Sequence, residues 1–150
     1  MMIDDQLAEQ IRRSARTLSK VCELSNAEAN ILLDTIAYEF VANPQELWWW
    51  ASLRQPSRTI GYEGLDVFHE IRKLVLDDEV THLVVTDDEP RPWLVFNGQV
   101  DDLLQLVGEQ RYFEYFLICA ASEKPNKVIF DTHHNLLVVA EKEKLARRAQ

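Results

Sequence analysis

Residues 82–97 read His82-Leu83-Val84-Val85-Thr86, then Asp87-Asp88-Glu89-Pro90-Arg91-Pro92, then Trp93-Leu94-Val95-Phe96-Asn97. Two short runs of aliphatic, β-branched and aromatic residues flank a polar connection, the pattern of a β-hairpin closed by a longer acidic loop. This is where the chain changes period. Upstream the apolar residues recur at helical spacing, and downstream they gather in strand-like runs.

Working upstream, Ile3, Leu7, Ile11, Ala15, Leu18 and Cys22 recur every three or four residues, which predicts an amphipathic helix with Arg12, Arg13, Arg16 and Lys20 mostly on its other face. A second helix starts at Ser25, where Glu28 completes a capping box. Its expected buried face is Ile31, Leu32, Leu33, Ile36, Ala37 and Phe40, and Asn43-Pro44 ends it because proline cannot continue the ladder. Residues 54–64, with Pro56, Ser57, Gly61 and Gly64, read as a loop. A third helix is expected over 65–76, with Leu65, Phe68, Ile71, Leu74 and Val75 facing inward.

Downstream, a short helix over 100–107 stops at Gly108. Strands are expected over 112–120, 127–132 and 135–140, followed by a charged tail from residue 141. Helices followed by mainly hairpin-linked strands make one α+β domain over residues 1–150, with N-terminal helices packed on a mainly antiparallel sheet of about five strands. One sheet face should be covered by helices and the other more exposed.

The hairpin also sits inside the main concentration of charge. Between residues 77 and 114 there are ten acidic side chains (Asp77, Asp78, Glu79, Asp87, Asp88, Glu89, Asp101, Asp102, Glu109 and Glu114) against Arg91 and Arg111, which is −8 of the formal net charge of −9. Such a field speeds encounter with a basic partner and repels nucleic acid. The basic helix face and the basic tail residues (Lys142, Lys144, Arg147, Arg148) are modest beside it, so nucleic-acid binding is disfavoured. The composition, 47% hydrophobic and 27% charged, is that of a folded globular chain. Met1-Met2-Ile3-Asp4-Asp5 lacks the basic end and apolar core of a signal peptide, and no apolar run has membrane-spanning length. The chain therefore reads as cytoplasmic, with no membrane contact. Cys22 and Cys119 make no disulfide framework and read as small buried hydrophobes.

Chemistry-bearing motifs are few. The four glycines are scattered, so no phosphate-cradling loop is present, and no serine elbow or Cys/His signature occurs. Trp48-Trp49-Trp50 reads mainly as core with at least one indole left exposed, since tryptophan serves both cores and interface anchors. Asp131-Thr132-His133-His134-Asn135 is the nearest approach to an active site, because Asp and His together can ligate a metal or exchange protons. Alternation along a strand would turn His133 and His134 apart, and a turn explains Asp131, Thr132 and Asn135 through bonds to their own backbone.

The stretches Tyr112-Phe113-Glu114-Tyr115-Phe116-Leu117-Ile118 and Phe130-Asp131-Thr132-His133-His134-Asn135, with the order of helices before strands, resemble small bacterial α+β domains of uncharacterised function. Several such domains act as immunity proteins beside secreted polymorphic toxins, including those of contact-dependent growth inhibition. The resemblance implies a protein that neutralises a cognate basic toxin, in many cases a nuclease, by filling its cleft with carboxylates. Asp77, Asp78, Glu79, Asp87, Asp88 and Glu89 are then the expected contacts, with Asp101 and Asp102 nearby and Arg91, Trp93 and an exposed tryptophan of the 48–50 triplet as anchors. On this reading the chain is not an enzyme and carries no cofactor. The alternative is a small enzyme or metal-binding protein using Asp131, His133 and His134. A third reading makes it a subunit or adaptor that assembles with further copies of itself.

Overall fold

The computed structural model describes residues 5–46, 48–54, 57–77, 79–87, 89–110, 113–121 and 124–142. The amphipathic N-terminus forms α1 (Asp5–Arg16), which buries Leu7, Ala8, Ile11 and Ala15; Ile3 lies outside the described residues. The chain then leaves the helix and makes a two-residue strand, β1 (Cys22–Glu23). Arg12 and Glu23 pin the two together through a bidentate pair at 2.9 Å.

Helix α2 (Asn26–Phe40) starts at the expected capping box: Ser25 accepts from the Glu28 amide, and the Glu28 carboxylate accepts from the Ser25 amide. Ala29, Leu33, Ile36, Ala37 and Phe40 are its buried residues, whereas Ile31 points to solvent. A 3₁₀ turn (Trp49–Ala51) leads to β2 (Arg58–Gly61) and α3 (Val67–Leu74), the latter capped by Asp66. In α3 Ile71 is buried, but Leu65, just before it, is exposed. There follow β3 (Val80–Val85), β4 (Leu94–Gly98), α4 (Val100–Gly108), β5 (Tyr115–Ala121), β6 (Lys124–Asp131) and β7 (Leu136–Glu141). Of the tail expected from residue 141, Glu141 closes β7 and residues 143–150, with Lys144, Arg147 and Arg148, lie outside the described residues.

The strands form one sheet of seven, in the order β1-β4-β3-β5-β6-β7-β2, with every neighbouring pair antiparallel. The fold is thus α+β and antiparallel as expected, with seven strands rather than about five. The two additional strands are the edges β1 and β2. Both are short, and backbone pairing to β4 and β7, rather than any apolar alternation of their own, holds them in place.

Alternation divides the sheet into two faces. Tyr115, Leu117 and Cys119 share one face with Thr81, Leu83, Val85, Lys127, Ile129 and Asp131. Helices α3 and α4 lie on this side: Lys127 donates to the Leu74 carbonyl, and Arg72 pairs with Asp101 at 2.9 Å. Phe116, Ile118, Val84, Val128 and Phe130 share the other face, which Trp49 and α2 cover. Both faces are therefore closed, in contrast to the expectation of one exposed side; Leu117, Ile118, Val128 and Ile129 are all buried.

Candidate functional site

Antiparallel pairing sorts the loops onto two rims. The end of β3, the starts of β4 and β5, the β6–β7 turn and the end of β2 meet at one rim. The start of β3, the ends of β4 and β5 and the start of β6 meet at the other. Since β3 has six residues, the rims stand about 20 Å apart at roughly 3.3 Å per residue. The acidic residues expected to act together are divided between them. Asp77, Glu79, Asp101 and Asp102 belong to the lower rim, and Asp87, Glu89, Arg91 and Trp93 to the upper one. Asp78 and Asp88 lie outside the described residues.

On the lower rim, Asp77 and Asp101 share one cation, Arg72, at 3.8 and 2.9 Å. Asp102, half-buried, joins Asp101 in the first turn of α4, where carboxylates suit the positive helix end. Glu79 is no surface contact at all. Its side chain is closed to solvent, pairs with buried Lys127 at 3.0 Å, and accepts from the Leu76 amide at 2.8 Å and from Asn126 at 2.9 Å. Burial alone would raise this carboxyl, but the bonds from Leu76, Asn126 and Lys127 outweigh it and hold the group below its usual value. A buried cation draws Glu79 inward: Lys127 needs a counter-charge, and Glu79 supplies it.

On the upper rim Trp93 is likewise core rather than anchor. Its ring packs edge-on to Trp49 at 5.0 Å, and its indole N–H donates to the Glu89 carbonyl. Arg91 pairs with Asp34 at 3.0 Å and lies over the Trp49 ring. The tryptophan triplet divides three ways. Trp49 is buried, with its N–H on the Pro44 carbonyl, Trp50 is half-buried, and Trp48 is 49% exposed. Trp48 and Trp50 stack at 5.8 Å with planes 12° apart. This aromatic pair shares a concavity with Thr86, Glu114, Tyr115 and Asp131, so a stacked indole pair and carboxylates face the same rim.

Beside it lies the Asp131 network. Asp131 is buried, and its Oδ1 accepts from the Tyr62 hydroxyl at 2.7 Å and from the His133 amide at 2.9 Å. Its Oδ2 accepts from the Tyr115 hydroxyl at 2.9 Å and faces His133 Nδ1 at 3.6 Å. His133 Nε2 stands 3.5 Å from Glu114 Oε2. Burial and the Asp131 charge raise the Tyr115 phenol well above its usual value, so it stays a donor. The turn that makes this possible carries left-handed φ values at His133 (60°) and Asn135 (61°). That bend keeps Asp131 and His133 together, while His134 is exposed on the turn and does not join them. Among the described residues no group of three or more His, Cys, Asp or Glu side chains is arranged to hold a metal ion.

Sequence reading missed Tyr62, Tyr115 and Glu114 as members of the site. Tyr62 enters only because β2 pairs with β7 and carries it to the β6–β7 turn. Cys22 is exposed, in contrast to the buried thiol expected, whereas burial pushes the Cys119 thiol up to about 12. No helix among the described residues is long and apolar enough to cross a membrane. No protein-family model, curated protein or solved structure matches the chain.

Proposed function

We propose that this chain is a binding protein that neutralises a basic protein partner, in the manner of an immunity protein acting on its cognate toxin, and that it does so with its upper rim. The observation that carries this reading is the stacked Trp48–Trp50 pair facing the same concavity as Glu114, on the rim that also holds Asp87 and Glu89. Exposed tryptophan supplies a large, rigid anchor, and an indole face attracts the guanidinium or ammonium group of a partner. The carboxylates add long-range attraction that speeds encounter. The lower rim is the weaker candidate, because Asp77 and Asp101 share Arg72 and Glu79 is consumed by Lys127.

The test is affinity capture by the tagged chain from its cells of origin, eluted with a salt gradient. The reading requires a basic protein released at moderate salt, because screened charge attraction is half of the mechanism. If only acidic or neutral proteins are retained, or elution is indifferent to salt, the reading is wrong.

A further inference from the structure

Strand β2 closes one end of the seven-stranded sheet and pairs with β7 on its inner side. One bond fixes the parity of its backbone. The Tyr62 amide donates to the Asn135 carbonyl at 2.9 Å, in register with the ladder that sets Arg58 against Val139 and Ile60 against Leu137. Along an antiparallel strand alternate residues turn their N–H and C=O groups to the same side. Arg58 and Ile60 therefore direct theirs to β7, and Thr59 and Gly61 direct theirs outward, off the end of the sheet.

An open edge is a template for a further strand unless something blunts it. β2 contains no proline and no lysine, its register with β7 runs without a bulge, and its single charge, Arg58, is held by Glu141 at 2.7 Å. The edge also has a gap in it. A Cβ at Gly61 would meet only the Asn135 carbonyl oxygen at 3.9 Å and the Leu136 side chain at 4.0 Å, and Leu136 is 42% exposed beside that space.

A second β2 fits this edge. When two copies are laid antiparallel about a twofold axis at Ile60, Thr59 of each stands opposite Gly61 of the other, and the pair exchanges N–H···O bonds in both directions. This register uses every outward amide and carbonyl of β2 without calling on residues beyond the strand. Ile60 meets Ile60 of the second copy at the axis, in a non-hydrogen-bonded pair where β-branched side chains come closest. Thr59 of the second copy reaches across Gly61 to Leu136, on the same face of the sheet. Arg58 stands opposite a neutral residue, Tyr62, so no like charges are opposed. Pairing β2 with the other edge strand, β1, would offer only two residues and would be head-to-tail and open-ended.

We propose that the chain forms a weak symmetric dimer by antiparallel pairing of β2 with β2 of a second copy, joining the two sheets into one. This surface does not rest on the partner reading above and stands or falls independently of it.

The test is sedimentation equilibrium of the full chain at rising concentration, followed by disulfide trapping. The parent passes from monomer to dimer with a dissociation constant of about 0.1 mM, in keeping with a contact at the low end of specific interfaces. Thr59→Pro removes an outward amide and leaves the ladder to β7 intact, so the folded variant dimerises at least about tenfold more weakly. In a Cys22→Ser background, Ile60→Cys is oxidised to a covalent dimer because the axial pair lies within disulfide reach. Thr59→Cys is not, because its counterpart lies more than about 7 Å away between Cα atoms. Thermal melts establish that each variant is folded. A parent that stays monomeric up to about 1 mM leaves the edge to another protein and overturns the proposal. So does a dimer unchanged in folded Thr59→Pro, or cross-linking of Thr59→Cys as ready as that of Ile60→Cys.

Discussion

The Tyr115 hydroxyl donates a 2.9 Å hydrogen bond to Asp131 from the neighbouring strand, while the other carboxylate oxygen accepts from Tyr62, 69 residues away in sequence. One buried carboxylate therefore joins β5, the β6–β7 turn and the segment after β2. Removing it strands two phenol donors and an amide. Asp131→Ala is expected to lower stability by about 4 kcal/mol or more, because three bonds to a charged acceptor, each worth roughly 1.5–3 kcal/mol, are lost together. Tyr62→Phe removes one of them and lowers it by about 1.5–3 kcal/mol. Urea denaturation followed by tryptophan fluorescence measures both, and an Asp131→Ala variant as stable as the parent contradicts the assignment.

The Lys127–Glu79 pair makes a second structural prediction. Both side chains are inside, so removing one partner leaves the other charge unmatched. Lys127→Met alone is expected to lose about 3–5 kcal/mol, whereas Lys127→Met with Glu79→Leu recovers most of it. The recovery is incomplete because the Leu76 amide and Asn126 also lose their acceptor. A double-mutant cycle in urea reports the coupling, and additive losses would refute it.

The same pair sets an acid limit. The Glu79 carboxyl lies below its ordinary 4.5 in the folded chain, so it stabilises the fold above that pH and the benefit is lost as pH falls through the lower folded value. The stability gap between the parent and Glu79→Gln is expected to be constant from neutral pH down to about 5 and to shrink below about 4.5. A gap that widens on acidification would reverse the sign and contradict the description.

Much of this architecture can be read from local pattern, because local pattern is what makes it. The Ser25–Glu28 capping box, the 82–97 hairpin and the three later strands depend on near neighbours, and each is present. What could not be read depends on distant ones. Arg58–Gly61 is a strand because β7 lies beside it, although its own four residues are mostly polar or small. Glu79 reads as a solvated loop acid until Lys127 is known to lie beneath it. Trp93 reads as an anchor until Trp49 closes over it. A single strand between Asp77 and Asp87 already requires that their loops leave opposite ends of the sheet, and that much is legible in the sequence.

The tryptophan triplet should separate cleanly by mutation. Trp49, buried between Trp93 and Phe116, carries core packing, and Trp49→Ala is expected to cost about 3–5 kcal/mol. Trp48, half exposed, is expected to cost no more than about 1 kcal/mol on the same change. Thermal melts of the two variants decide this, and comparable losses would place Trp48 in the core as well.

That separation makes the decisive comparison available. The tagged parent, an upper-rim variant (Trp48→Ala with Glu89→Gln) and a lower-rim variant (Asp77→Asn with Asp101→Asn) are each used to capture partners from the same cells under a salt gradient. The parent and the lower-rim variant are expected to retain the same basic protein, and the folded upper-rim variant to release it at much lower salt or fail to hold it. Loss of the partner from the lower-rim variant alone, or equal retention by all three, would contradict the claim that the Trp48 rim is the binding surface.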